Sequence, residues 1–587
     1  MLENQIVAMM QGPIPKSTDS SNPVHPPNAQ PSAQPKTVPG NLVSSSVEST
    51  YVSSSHWVAI LNNISELKEQ TQWEEYTQPE SEDSCEETTR IGIGASALLF
   101  RSQASCSKED LVAALPSRPV VDRLVSEYFH DLDMMPHTAC VHKTVFYKEY
   151  EAFWKSPLSV SAIWLGLLYA VVCLSSHFGS AAANLEPETE WSSATSSSLL
   201  YLEQVVQCLM VGNYRRGGPY VIETLAHYFV IEHLRRPDTE VDSWLLLGVI
   251  NRLALRMGYH RDPSHFPGMT PFQGEMRRRV WAMLHSADAM LAMQLGVPRM
   301  FHEGQWDTRE PLILSDDEFD DTCLELPRSR LKDDELGPSV YVVSRIRMAK
   351  VLGIVVDMIN TTQRIPSQVS KAERLMQETY DSLPPALKLS SDVQSLSESP
   401  TLMLQQCFLA IMLYQAQLLL FQDCLSGSDQ ATDPGHHDHC LAMVLNAALN
   451  TLELQSYMGA AKQTGGALWP LRWKLTSTTL AHEFLLATTV LSKALFSTIG
   501  PNPLVQLNSD IYDRILSTLR HTRDIWLQSV HRSNEARKVA SMLTALFNAL
   551  EERPLRTDLL EREDMAIDLE RYFDLNFGEF VLESFLE

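Results

Sequence analysis

The chain has 587 residues, with 47 basic side chains against 72 acidic ones and a formal charge of −25. That length allows several domains or one large core with unstructured ends, and it excludes a small disulfide-held scaffold. The charge excludes the bulk of the chain as a phosphate-backbone binder acting through counterion release, so contact with nucleic acid would need a basic module of its own. Nine cysteines occur, no two closer than 16 residues, which leaves no CxxC or other close metal pair. Reduced, mostly buried thiols of an intracellular protein are the expectation.

Residues 1–50 hold eight prolines, eight serines and no Phe, Trp or Tyr. This is too little apolar surface to offset the entropy of ordering the backbone, and the stretch reads as a disordered Pro/Ser-rich tail. The five apolar residues Ile6–Met10 have no basic stretch before them, which argues against a secretory signal. Residues 51–117 read as a short amphipathic docking helix, opening at Trp57 with Ile60, Leu61, Ile64 and Leu67, followed by an acidic linker. Seven of the fourteen residues Glu74–Glu87 in that linker are acidic.

From residue 118 the apolar residues take a helical period, with Val121, Leu124, Val125, Tyr128, Phe129 and Leu132 on one face. Similar stretches recur near 143–155, 158–178, 197–214, 218–235, 239–258, 274–295, 339–363, 367–383, 401–425, 438–458, 470–497, 508–532 and 533–551, separated by Pro, Gly and Asp/Asn breakers. Strand-like alternation is scarce, so the expected fold class is all-α, a large multi-helix array without a fixed-period repeat. A linker at 383–400 separates a region at 118–382 from a second helical part at 401–551, and an acidic, aromatic segment at 552–587 ends the chain. Leu158–Leu174 is nearly long and apolar enough to span a bilayer. Ser159, Ser161 and the lack of a flanking basic cluster favour a buried core helix, hence no membrane.

Four local patterns invite a chemical reading. Asp316-Asp317-Glu318-Phe319-Asp320 has the DDxxD form that holds magnesium and a diphosphate in helical prenyl diphosphate enzymes. No second magnesium motif follows it, and an acidic loop leading into a helix start accounts for the run. Gly92-Ile93-Gly94-Ala95-Ser96-Ala97 fits GxGxxA but follows an acidic linker where a hydrophobic strand is required. His436-His437-Asp438-His439-Cys440 crowds four candidate metal ligands together, yet consecutive helical side chains diverge by about 100°, so a polar helix start is expected. Arg277-Arg278-Arg279 lies within the apolar helical pattern of Met276, Val280, Trp281 and Leu284, with Glu275 four residues before Arg279. Salt bridging inside the fold is expected of it ahead of DNA contact or nuclear import. No catalytic, cofactor or metal residues are assigned.

Asp564–Glu587 carries seven acidic residues against one basic, interleaved with aromatic and aliphatic side chains. Phe573, Phe577 and Phe580 fall at i, i+4 and i+7, and with Phe585 they are the candidate coactivator contacts, folding onto a partner's apolar groove. A final helix of the domain's own core is the alternative.

One block carries a resemblance. Trp244-Leu245-Leu246-Leu247-Gly248 with Arg252-Leu253-Ala254 is followed by Met257-Gly258-Tyr259-His260-Arg261-Asp262, then Glu275, Arg277–Arg279, Trp281, Asp288, and Leu295-Gly296 with Pro298. In this order the block resembles the fungal-specific transcription factor domain, the middle homology region of fungal binuclear zinc-cluster regulators. Flanking pieces at Tyr51–Lys68, Ala97–Phe100, Leu115-Pro116 with Val121–Phe129, Leu383–Pro385 and Leu413–Ala416 extend the similarity over roughly residues 50–550. Ala289 and Val297 stand where an arginine is frequent in the family, a change expected to alter packing or ion pairing. The family's six-cysteine zinc cluster has no counterpart here. An upstream segment bearing it, and with it zinc, or regulation without direct DNA reading are the two expectations.

The resemblance implies a nuclear transcription regulator with a helical regulatory domain at 118–382, controlling a metabolic or biosynthetic gene set. Its implied partners are the transcription machinery or a coactivator, a DNA-binding partner or a second copy in a homodimer, and a small-molecule effector. The alternatives are a magnesium-dependent prenyl diphosphate enzyme built on 316–320 and a non-DNA-binding partner or corepressor.

Overall fold

The computed structural model describes residues 41–44, 49–62, 98, 105–132, 135–183, 191–236, 238, 241–329, 337–361, 366–389, 399–426, 434–475, 481–498, 507–531 and 533–552. The chain divides into Met1–Thr37 and Val38–Glu587, and every described residue belongs to the second unit.

A hairpin of β1 (Asn41–Ser44) and β2 (Ser49–Val52) precedes α1 (Trp57–Asn62), α2 (Lys108–Ala113), α3 (Arg118–Asp131), α4 (Lys143–Lys155), α5 (Ala162–Ala183), α6 (Trp191–Val211), α7 (Val221–Leu234) and α8 (Val241–Arg256). There follow α9 (Pro271–Leu295), α10 (Pro338–Ile359), α11 (Pro366–Asp381), α12 (Pro400–Phe421), α13 (Pro434–Ala461), α14 (Leu485–Ser497), α15 (Ser509–Leu527) and α16 (Asn534–Glu552). The expected all-α array is the observed class. The hairpin takes up the end of the 1–50 stretch, past its last proline at Pro39, where Leu42 pairs with Tyr51 and Val43 with Thr50. Such β-branched and aromatic residues suit a pleated strand. The stretch expected over 470–497 divides into a 3-10 turn at Trp469–Leu475 and α14. Pro470 suits the opening turn, where its missing N–H costs nothing.

The helices build two apolar cores. Helices α3 to α9 enclose Tyr128, Phe146, Phe153, Tyr169, Tyr228 and Trp281, whereas α1 and α10 to α16 enclose Trp57, Tyr341, Phe421, Leu491 and Leu546. Helix α9 joins them, giving Val280, Trp281, Leu284 and Leu291 to the first core and Ala282 and Ala292 to the second. Its start is fixed by a reciprocal capping box between Thr270 and Gln273 with Pro271 in the first turn. Its end is fixed by Gly296 at φ 64°, a left-handed position suited to glycine. The Ser53 amide donates to the Gly296 carbonyl at 2.9 Å and His56 Nε2 donates to the Gln294 carbonyl at 2.9 Å, so α1 is attached where α9 stops.

Two described helices, α5 and α12, are long and apolar enough to cross a membrane by composition alone. Helix α5 is enclosed by α3, α6 and α7, and α12 by α10 and α13, which accounts for their being apolar all round. The eight described cysteines are free thiols, six of them buried. Burial pushes Cys173 and Cys407 up to about 12, far from the reactive thiolate range.

Candidate functional site

The charged lattice around the first half of α9 is built from three consecutive arginines that fan out by about 100° per residue, so each meets a different neighbour. Arg277 lies over the Tyr259 ring at 4.0 Å and donates to the Met257 carbonyl at 2.5 Å. Arg278 reaches Asp262 with Nε and Nη2, each at 3.0 Å. Arg279 donates to Asp316 at 2.6 Å and to the Leu314 carbonyl at 3.0 Å, with Glu275 at 3.5 Å and the Phe319 ring at 5.0 Å. The expected internal role of the triplet holds, with Glu275 only one of several partners.

Asp262 is the densest node. Besides Arg278 it accepts from Ser264 N at 3.0 Å, Arg309 N at 3.0 Å and Arg309 Nη2 at 2.9 Å. Burial alone would raise this carboxyl, but the bonds from Arg278, Arg309 and Ser264 outweigh it and hold the group far below the usual carboxylate range. Asp307 ties the same loop together by accepting from Asp262 N at 2.9 Å, His265 Nε2 at 2.8 Å and Arg261 Nε at 3.1 Å. Further along α9, buried Asp288 accepts from Met300 N at 3.0 Å and Phe301 N at 3.1 Å, and burial pushes it up to about 6. Arg299 then crosses to α10, where Nε donates to Asp357 at 3.0 Å and Nη2 takes the other oxygen. Gly353 lies beneath this crossing, and a Cβ there would run into the guanidinium.

The acidic run 316–320 forms a turn, and no helix starts in it, contrary to expectation. Its negative charge does meet a helix N-terminus, but that of α4: Asp316 Oδ2 accepts from Lys143 N at 2.7 Å, and the Asp316 carbonyl from the Thr144 hydroxyl at 3.1 Å. Asp320 accepts from Lys148 Nζ at 2.9 Å and from Thr322. Both carboxylates are thus committed to protein donors, and they do not share a helical face as a magnesium motif requires.

In α13 the described side chains of the run, from His437 to Cys440, diverge as helical geometry dictates. His439 Nε2 lies 2.8 Å from Glu373 on α11, and Cys440 is buried in the second core. The helix starts at Pro434, ahead of the expected start. Among the described residues no group of three or more His, Cys, Asp or Glu side chains is arranged to hold a metal ion. The GxGxxA run 92–97 and the candidate contacts Phe573, Phe577, Phe580 and Phe585 lie outside the described residues.

Sequence reasoning did not anticipate a buried polar cluster behind α7. The Tyr128 hydroxyl lies 2.6 Å from His227 Nε2, while His227 Nδ1 lies 2.6 Å from the Glu223 carbonyl. A carbonyl only accepts, so Nδ1 carries the proton and Nε2 accepts from the tyrosine. The His137 ring stands edge-on to His227 at 5.3 Å. Single His and Tyr residues at unrelated positions carry no spacing signal that would have revealed this.

Comparison with known proteins gives the class first. Residues 125–392 match the fungal specific transcription factor domain. At the level of whole chains, the Zn(2)-C6 fungal-type transcription factor mpsB of Macrophomina phaseolina is 34% identical over 90% of this chain and 70% of its own length. The equisetin cluster transcription factor eqxF of Fusarium heterosporum is 34% identical over 86% of this chain and 72% of its own. The fusarisetin A cluster transcription factor fsa6 of a Fusarium species is 35% identical over 86% of this chain and 67% of its own. The chain belongs to the family of fungal zinc-cluster transcription factors, and it is a transcription regulator of that type. Its 587 residues contain no C-x2-C pair, so the zinc module that names the family is not among them.

Proposed function

We propose that the chain acts in the nucleus to control a biosynthetic gene set, with the helical domain at 118–382 receiving regulatory input and the acidic, aromatic segment at 552–587 engaging a coactivator. The observation that carries this reading is similarity over most of the chain to regulators named for the equisetin and fusarisetin A clusters. These residues do not read DNA themselves, since they carry a charge of −25 and the arginine triplet is spent on internal partners. Promoter contact comes through a DNA-binding partner, a second copy, or a cysteine cluster encoded upstream, which alone would bring zinc. The chain is not an enzyme on this reading, because Asp316 and Asp320 are taken up by Arg279, Lys143 and Lys148.

Tethering the full chain to a heterologous DNA-binding domain ahead of a reporter tests the activating role. Transcription is expected, with most of it lost when Phe573, Phe577, Phe580 and Phe585 are all replaced by alanine, since buried rings anchor such complexes more than the surrounding charge does. An inactive fusion, or full activity without the four rings, would return the segment to a structural helix. Repression of the reporter would support a corepressor.

A further inference from the structure

Helix α8 turns Leu246, Leu247, Ile250 and Ala254 into the first core, and its outer face carries a stripe of Val241, Trp244, Leu245, Arg252 and Arg256. Val241, Trp244 and Leu245 are 50%, 37% and 45% exposed, and no other described helix has more than one large apolar side chain so exposed. Single exposed apolar residues are ordinary, whereas three within five residues on one face form a patch. The one acidic side chain of the helix, Asp242, is engaged by Arg236 at 3.4 Å.

The other end of the stripe is basic. Arg252 lies back along the helix, donating to the Gly248 carbonyl at 3.4 Å, and Arg256 donates to the Arg215 carbonyl at 2.9 Å, which brings the turn Tyr214–Arg216 against the end of α8. Arg215, Arg216, Arg252 and Arg256 are all exposed, and no carboxylate among the described residues pairs with any of them. That is a basic rim on a chain of charge −25. The turn is held in an unusual backbone. Asn213 at φ 49° and Tyr220 at φ 64° are the only described non-glycine residues with positive φ, and Gly217 at 76° and Gly218 at 143° lie between them. Such conformations persist only where the surroundings over-determine them, and here Tyr214 is buried and the Tyr220 hydroxyl donates to Glu149. The two arginines of the turn are therefore displayed on a fixed frame.

We propose that this face docks the chain's own C-terminal segment Asp564–Glu587, its rings on Val241, Trp244 and Leu245 and its carboxylates along the four arginines. The segment supplies both halves of the complement: Phe573, Phe577 and Phe580 at i, i+4 and i+7, and seven acidic side chains against one basic. Trp and Arg are also the side chains that most often dominate such contacts. The chain is long enough to reach. Asp238, three residues before Val241, caps the start of α16 by accepting from Ser533 Oγ at 2.5 Å and Asn534 N at 3.0 Å. Glu552, at the far end of α16, lies about 28 Å along that helix, and the 20 residues 553–572 can span roughly 66 Å. The inference rests on the proposed function in what docking does: rings held on α8 are withheld from a coactivator.

Photo-cross-linking in the purified full chain reads the contact itself, so its failure leaves the coactivator reading standing, and an inactive reporter leaves the docking result standing. With p-benzoylphenylalanine in place of Leu245, irradiation is expected to give products at the mass of one chain whose linked peptides come from 564–587. Their yield should fall about fivefold or more in a chain carrying both Arg215→Glu and Arg252→Glu, and should fall likewise with the arginines kept and salt raised from about 0.05 to about 0.5 M. The salt comparison needs no charge-reversed chain to fold. In the tethered reporter the double charge reversal should raise transcription about twofold or more, because the rings are released. No link to 564–587 would overturn the assignment and leave the face to a different protein, and products at twice the chain mass would overturn it in favour of a second copy. A yield indifferent to both salt and charge reversal would also overturn it. Unchanged reporter output with the cross-link lost would overturn the regulatory consequence.

Discussion

The Arg279 guanidinium and the Asp316 carboxylate meet at 2.6 Å, joining the middle of α9 to the acidic loop that holds the N-terminus of α4. Arg279 is also the partner of Glu275, whose side chain has no exposed surface. Replacing Arg279 by methionine leaves two carboxylates short of a countercharge and is expected to cost about 3–5 kcal/mol in urea unfolding. Asp316→Asn should cost less, since Lys143 N can still find an oxygen. Millimolar magnesium should leave the midpoints of all three proteins unchanged. Magnesium stabilisation of the natural chain that disappears in Asp316→Asn would reopen the prenyl diphosphate reading.

Asp262 is the second test of the lattice. Alanine there strands Arg278, Arg309 and two backbone amides at once, and a loss of about 3–5 kcal/mol is expected. Arg309→Ala should cost far less, because that side chain is 65% exposed and its bond to Asp262 competes with water. Equal losses for the two variants would show that the node does not concentrate stability at Asp262.

Glycine contacts separate two positions that look alike in sequence. In α10, Gly353 makes room for Arg299, so Gly353→Ala should dislodge the Arg299–Asp357 pair and cost about 1–3 kcal/mol. In α13, nothing lies within 4 Å of a Cβ at Gly459, so Gly459→Ala should stabilise by about 0.5–1 kcal/mol through helix propensity. Thermal melts of the two variants on one chain decide it. The same sign for both would contradict the packing described.

Stability should pass through a maximum with pH. Burial lowers His56, His227 and His233 to about 4, and His285 to about 3, against 6.5 in the unfolded chain. The unfolded chain therefore binds more protons below 6.5, and the stability present above that value is lost as pH falls towards 4. Burial raises Glu223 to about 7 and Asp288 to about 6, so their contribution is present at low pH and lost as pH rises through those values. Burial would lower His482 too, but Glu535 outweighs it, and this raised base joins the alkaline side. Four histidines outweigh the opposing groups below 6.5, so the melting temperature should climb from pH 4.5 to about 6.5 and then decline towards about pH 8. Glu223→Gln should flatten part of that decline. A melting temperature that does not change between pH 4.5 and 6.5 would contradict the neutral burial of the histidines.

The helices were legible because their information is local. The spacing of Val121, Leu124, Val125, Tyr128 and Phe129 gives the buried face of α3, and all five are buried. The Thr270–Gln273 capping box that fixes the start of α9 was equally present in the sequence, though periodicity alone placed the start at 274. The lattice was legible only in part. Glu275 stands four residues from Arg279, within reach on one helix, whereas Asp262 and Asp316 lie 16 and 37 residues from their arginines and are brought there by the fold. The 316–320 carboxylates misled for the same reason: helical spacing suggested a shared face, and the partner turned out to be the end of another helix. The strands of the hairpin are four residues long, too short for alternation to register.

Transcript profiling of the source organism, with the gene deleted and then restored, tests the central claim most directly. The account predicts that deletion changes a coherent set of biosynthetic genes, that the natural chain restores them, and that a chain carrying Asp262→Ala, which weakens the α9 lattice, restores them poorly at equal transcript level. No coordinated change in any biosynthetic gene set on deletion would contradict it.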